Sequence, residues 1–102
     1  MLIVRGVNVF PSQIEELILR IAGLSPHYRL EMARSGHLDN LTVHVECVEN
    51  SSDDASRSRA AGELAYHVKS LVGISIRVEV HVPGTIERSV GKAKRVYDRR
   101  TP

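Results

Sequence analysis

Cysteine is almost missing from this 102-residue chain. Cys47 stands alone, which excludes an internal disulfide and a multi-cysteine metal site, and a reducing, cytoplasmic setting is the expectation. Tryptophan is missing too, and the aromatic residues are Phe10, Tyr28, Tyr66 and Tyr97. A base-stacking nucleic-acid surface needs exposed rings on central strands; the strand-like stretches 42–46 and 75–81 carry none, so no nucleic-acid partner is expected. No apolar run approaches the ~20 residues of a membrane span. The opening Met-Leu-Ile-Val-Arg-Gly lacks the basic and then apolar stretches of a secretory signal. Internal repeats, linkers and low-complexity segments are also lacking. What is present is ordinary for a globular protein: 42% hydrophobic and 25% charged residues, in a length that suits one domain of ~100–150 residues.

An excess of positive charge is missing from most of the chain and concentrated at its end. Residues 1–85 hold eight basic and ten acidic side chains, a balance of −2, whereas residues 86–102 hold six basic and two acidic, a balance of +4. The net +2 therefore comes from the C-terminal segment with Arg88, Lys92, Lys94, Arg95, Arg99 and Arg100. Such a segment is either a solvated tail or a surface that meets an anionic, phosphorylated ligand.

Hydrophobic spacing gives the element order. Leu2–Val4 is a short β-prone run, and Arg5–Phe10 reads as a loop with the turn formers Gly6 and Asn8. Ser12 and Glu15 have capping-box spacing, and Ile14, Leu17, Ile18, Ile21 and Ala22 form one helical stripe that Gly23 and Pro26 end. Tyr28, Leu30 and Met32 alternate with Arg29 and Glu31, and Leu41, Val43, Val45 and Cys47 alternate with Thr42, His44 and Glu46. These are two strands of a hairpin, with turn chemistry over Ser35–Asn40. After the polar loop Asn50–Asp54, with Asp54 or Ser56 as cap, a second helix presents Ala61, Leu64, Ala65, Val68, Leu71 and Val72. Ile74–Val82 alternates as the clearest strand and breaks at Pro83-Gly84. The order β-α-β-β-α-β predicts an α+β, ferredoxin-like sandwich with helices on one sheet face and an irregular basic C-terminal extension. The other face would carry Thr42, His44, Arg77, Glu79 and His81, open to water or a partner domain.

Self-contained enzyme chemistry is not visible. The five histidines show no metal spacing; His44 and His81 fall at outward positions as neighbours but lack a third ligand, so no metal site is expected. Cys47 points with Val43 and Val45 toward the core, with no basic neighbour to activate it. Nucleophile elbows, Walker loops and paired carboxylates are not found.

Two segments carry more. Gly6, Val9, Pro11, Ile14, Glu15 and Glu16 fill a Gly-x-x-Ile/Val-x-Pro-x-Glu-Ile-Glu-like pattern, and Ser89, Gly91, Lys92 and Arg95 fill a Thr/Ser-x-Gly-Lys-x-x-Arg-like pattern. Together, at this separation and over nearly the whole chain, they resemble the C-terminal domain of adenylate-forming acyl-CoA ligases, in their phenylacetate–CoA ligase branch. The resemblance implies a mobile small domain spanning residues 1–102, whose large N-terminal partner domain, which binds ATP, Mg²⁺ and the carboxylic acid, would precede it. It implies that Lys92 is the adenylation lysine, that Gly6, Val7 and Asn8 line the path of the coenzyme A thiol, and that Gly91 lets the lysine loop approach the reactants. Arg88, Lys94, Arg95, Arg99 and Arg100 become weaker candidates for coenzyme A phosphates, with plain surface charge as the equal alternative for each. The implied partners are ATP, coenzyme A and an aromatic carboxylic acid. The competing reading is a ferredoxin-like regulatory or small-ligand-binding module working as a homodimer, in which Lys92 would have no role.

Overall fold

The computed structural model describes residues 2–36, 38–86 and 96–98. The chain opens with a hairpin of β1 (Leu2–Val4) and β2 (Val7–Val9), paired antiparallel with Val4 opposite Val7. The stretch expected to be a loop is therefore half strand. Arg5 and Gly6 both adopt positive φ, 51° and 78°, as a type I′ turn requires. Val4 and Val9 point into the core, fully buried.

Helix α1 (Pro11–Arg20) follows at once. Its cap is Phe10, not Ser12: the Phe10 carbonyl accepts from Gln13 N–H at 2.9 Å, and Phe10 N–H donates to Gln13 Oε1 at 3.2 Å. Pro11 at the first helical position, with φ preset for a helix, moves the start forward. Ile14, Leu17 and Ile18 are buried as the stripe predicts, with Ile21 just beyond the helix; Ala22 is exposed.

The alternating stretches form a long hairpin, β3 (Leu24–Ser35) and β4 (Leu38–Cys47), with Ser35 opposite Leu38. Its two-residue connection is tighter than the turn expected from Ser35 to Asn40. Register breaks between Leu24 and Tyr28, around Pro26, which has no N–H for a ladder. Cys47 is buried, as its phase predicts. A 3₁₀ turn at Glu49–Ser51 leads into α2 (Asp54–Leu71). The cap is Asp53, not Asp54 or Ser56: its carboxylate accepts from Ser56 N–H at 3.0 Å, and hydrogen bonding from the Ser56 side chain first, then from this N–H, holds the Asp53 pKa below its ordinary 3.8. The buried face of α2 is Ala60, Leu64 and Val68, while Leu71, expected inside, is exposed.

Strand β5 (Arg77–His81) begins three residues later than its alternation suggests, and β6 (Val96–Asp98) lies within the stretch expected to be irregular. The main sheet has the order β5-β4-β3-β6, with β3 and β4 antiparallel and the outer pairs parallel. The α+β class and its layering hold: α1 and α2 bury their stripes against Leu30, Met32, Leu41, Val43 and Val45 in one apolar core. The outer strands differ from a plain β-α-β-β-α-β order, because residues 2–4 pair in their own hairpin while the C-terminal segment supplies β6.

Candidate functional site

The opposite sheet face is built from the polar residues of each alternation. Register places Arg29 opposite His44, Glu31 opposite Thr42, Thr42 beside Arg77, His44 beside Glu79 and Glu46 beside His81. The expected set of Thr42, His44, Arg77, Glu79 and His81 is thus on one face, joined by Arg29, Glu31 and Glu46. His44 and His81 are neighbours, with His44 Nδ1 and His81 Nε2 3.0 Å apart. His44 Nε2 lies 3.4 Å from Glu31 Oε1, and His44 Nδ1 lies 3.7 Å from Glu79 Oε2. Burial, reinforced by the neighbouring His44, pushes the His81 pKa below its ordinary 6.5. Among the described residues no group of three or more His, Cys, Asp or Glu is arranged to hold a metal ion.

The β1–β2 turn reaches the rim of this face. Arg5 Nε donates to the Asp39 carbonyl at 2.8 Å, and its guanidinium lies 3.4 Å from Asn40 Oδ1. These bonds hold a non-glycine residue at positive φ, where side chains are strained. A cleft of about 540 Å³ opens beside it, lined among others by Arg5, Glu31, Asn40, Thr42, Arg77 and Glu79. At Gly6 an added Cβ would meet nothing within 4 Å, so the glycine is there for its backbone conformation and leaves the turn bare. Val7 is half-buried and Asn8 exposed.

Of the expected site residues, Gly6, Val7 and Asn8 therefore share one hairpin, and Arg5 joins them to the cleft. Arg88, Gly91, Lys92, Lys94 and Arg95 lie outside the described residues. Their segment has a described anchor on each side. After them, β6 pairs with β3, Val96 opposite Leu30. Before them, the buried carboxylate of Glu46 accepts from Gly84 N–H at 2.9 Å and from Ile86 N–H at 2.7 Å. Sequence reasoning missed Glu46. The one signal was Pro83-Gly84 directly after a strand, a turn able to send the chain back over the sheet.

A family model described as the AMP-binding enzyme C-terminal domain matches residues 6–100. The chain belongs to that family. It is 52% identical over 102 residues to the phenylacetate–coenzyme A ligase of Escherichia coli (strain K12) and 47% identical to that of Pseudomonas putida, each match taking in 98% of this chain and 23% of the relative. The chain thus spans under a quarter of the length of these relatives. A solved domain of a phenylacetate–coenzyme A ligase from Bacteroides vulgatus ATCC 8482 superposes with TM-score 0.88 at 32% identity, covering 99% of this chain and 93% of that one. A 2-hydroxyisobutyryl-CoA ligase holding 2-HIB-AMP and CoA in its thioesterification state gives TM-score 0.86 at 29% identity, over 95% of this chain and 20% of that one. For an AMP-binding enzyme C-terminal domain, the matched stretch runs from the Gly6 turn to beyond the Lys92 segment, so both motifs fall within it.

Proposed function

We propose that this domain serves a cytoplasmic ligase that joins phenylacetate, or a closely related arylacetic acid, to coenzyme A in the breakdown of that acid. The observation that carries the reading is the 52% identity to a phenylacetate–coenzyme A ligase across 98% of the chain, with both motifs filled. ATP and coenzyme A are the co-substrates. In the first step a carboxylate oxygen bonds to the α-phosphorus of ATP and pyrophosphate leaves. In the second the thiol sulfur bonds to the acyl carbon, AMP leaves and the thiol proton is lost. The Mg²⁺ that such a reaction implies finds no group of three or more His, Cys, Asp or Glu to hold it among the described residues.

Lys92 has its task in the first step, where two anions are forced together. An ammonium on a long stem can bridge carboxylate and phosphate oxygens, and at ~4 Å a unit charge contributes about 4 kcal/mol near a protein surface. In the second step the domain presents its hairpin. The bare Gly6 turn, with Val7 and Asn8 beside it, leaves room for a thiol on a narrow arm, and Arg88, Lys94 and Arg95 supply charge for coenzyme A phosphates.

The test measures both half-reactions in the full-length enzyme. Lys92→Ala should slow adenylation by roughly 10²–10³ and leave thioester formation from supplied acyl-adenylate nearly normal. Gly6→Ile should do the reverse, since a β-branched residue is strained at φ 78° and fills the path. Arg99→Ala, as surface charge, should change neither step. Equal slowing of both steps by Lys92→Ala overturns the assignment.

A further inference from the structure

Glu46 is the most enclosed polar side chain of the outward sheet face, 1% exposed. A carboxylate taken out of water is costly unless each oxygen meets a donor. Here both donors come from one turn. Pro83 and Gly84, the latter at φ 89°, form the central pair of a type II turn. Thr85 closes it, through its N–H to the Val82 carbonyl at 3.4 Å and its hydroxyl to the same oxygen at 2.7 Å. That closure uses the Thr85 amide and leaves those of Gly84 and Ile86 to an outside acceptor. Glu46, 38 and 40 residues earlier in the chain, takes one with each oxygen. Ile86 is buried but does not belong to the helix-side core, which closes without it. Lys92 follows Ile86 by six residues.

We propose that Glu46 is a positioning residue for adenylation: by gripping the Gly84 and Ile86 amides it fixes where the chain that carries Lys92 leaves the sheet. The proposal rests on the reading of Lys92 given above. Its physical basis is that a charge aimed at two reacting anions loses its effect when its supporting backbone shifts by an ångström, which can cost up to ~10²-fold in rate.

Glu46→Gln keeps the size of the side chain but turns one acceptor into a donor facing an N–H. In the full-length enzyme it should slow adenylation at least about tenfold while thioester formation from supplied acyl-adenylate stays near normal. Hydrogen exchange of the 82–86 peptide should speed up. Because Glu46 acts through Lys92, the double variant should adenylate no more slowly than Lys92→Ala alone. Gly84→Ala, which strains the turn from the other side, should shift the half-reactions in the same direction. Normal adenylation in Glu46→Gln beside slow adenylation in Lys92→Ala overturns this proposal alone. Equal loss in both half-reactions shows only fold support and overturns it too. Normal adenylation in Lys92→Ala removes the reading of Lys92 and the proposal with it.

Discussion

The imidazoles of His44 and His81 stack with centroids 5.2 Å apart and share one hydrogen bond, so one ring must accept. A second proton there destroys the bond and places two cations side by side. His81 is disfavoured as a cation by burial first, then by His44 and Arg29, against the opposing pull of Glu79 and Glu46. Its folded pKa lies below 6.5, so the unfolded chain binds protons first as pH falls. The stabilisation is complete above pH 6.5 and is lost as pH drops through the folded value. The urea midpoint should therefore fall on acidification below about pH 6.5, and His81→Gln should remove part of that fall; an unchanged pH slope in His81→Gln contradicts the assignment. That these two residues are neighbours was legible in the sequence, because both sit at outward positions of alternating strands. The enclosure of their neighbour Glu46 was not, because alternation marks a polar face without saying what later covers it.

The two helices were legible to different degrees. In α1 the apolar side chains are large and few, so the stripe has one phase, and Ile14, Leu17 and Ile18 are where the spacing puts them. In α2 the face is diluted by alanines, and the choice between Ala60 and Ala61 turns on small side chains. The structure buries Ala60, Leu64 and Val68, a clean i, i+4 row, and leaves Leu71 62% exposed. Truncations should report this difference. Leu64→Ala removes a fully buried side chain and should cost about 2–5 kcal/mol, whereas Leu71→Ala should change stability by no more than ~0.5 kcal/mol. Urea denaturation of both variants decides it; a large loss in Leu71→Ala would mean that its side chain is covered. The β1–β2 hairpin escaped sequence reading for another reason. Its strands are three residues each, and its turn is Arg-Gly where the favoured signal is Asn-Gly. Arg5 is held there by side-chain bonds to Asp39 and Asn40, contacts 34 and 35 residues away in sequence.

Across the whole molecule, what the sequence could not disclose is long-range pairing. Strand β6 is three residues in a charge-rich segment, and it is a strand only because β3 offers a parallel edge more than sixty residues earlier. The motif residues were legible because they resemble a pattern, while their anchors, Glu46 and β6, are contacts between distant parts of the chain. Folding and catalysis are separable in this chain. The core from Val4 to Ile74 is continuous, and both helix starts are capped, so residues 1–102 should unfold cooperatively. The cleft beside Arg5 is a poor ATP site. Arg5 and Arg77 share its lining with Glu31 and Glu79, so its charges cancel where a nucleotide with about four negative charges needs an excess of positive ones. Adenylation also requires the reacting atoms of ATP and acid to be held ~3–3.5 Å apart, and the Escherichia coli relative is more than four times as long as this chain. The chain alone, with ATP, Mg²⁺, phenylacetate and coenzyme A, should release no pyrophosphate above blank and show no calorimetric ATP binding at millimolar concentration. Pyrophosphate release by the chain alone would place a complete adenylation site within these residues and overturn the division of labour proposed between this domain and its partner.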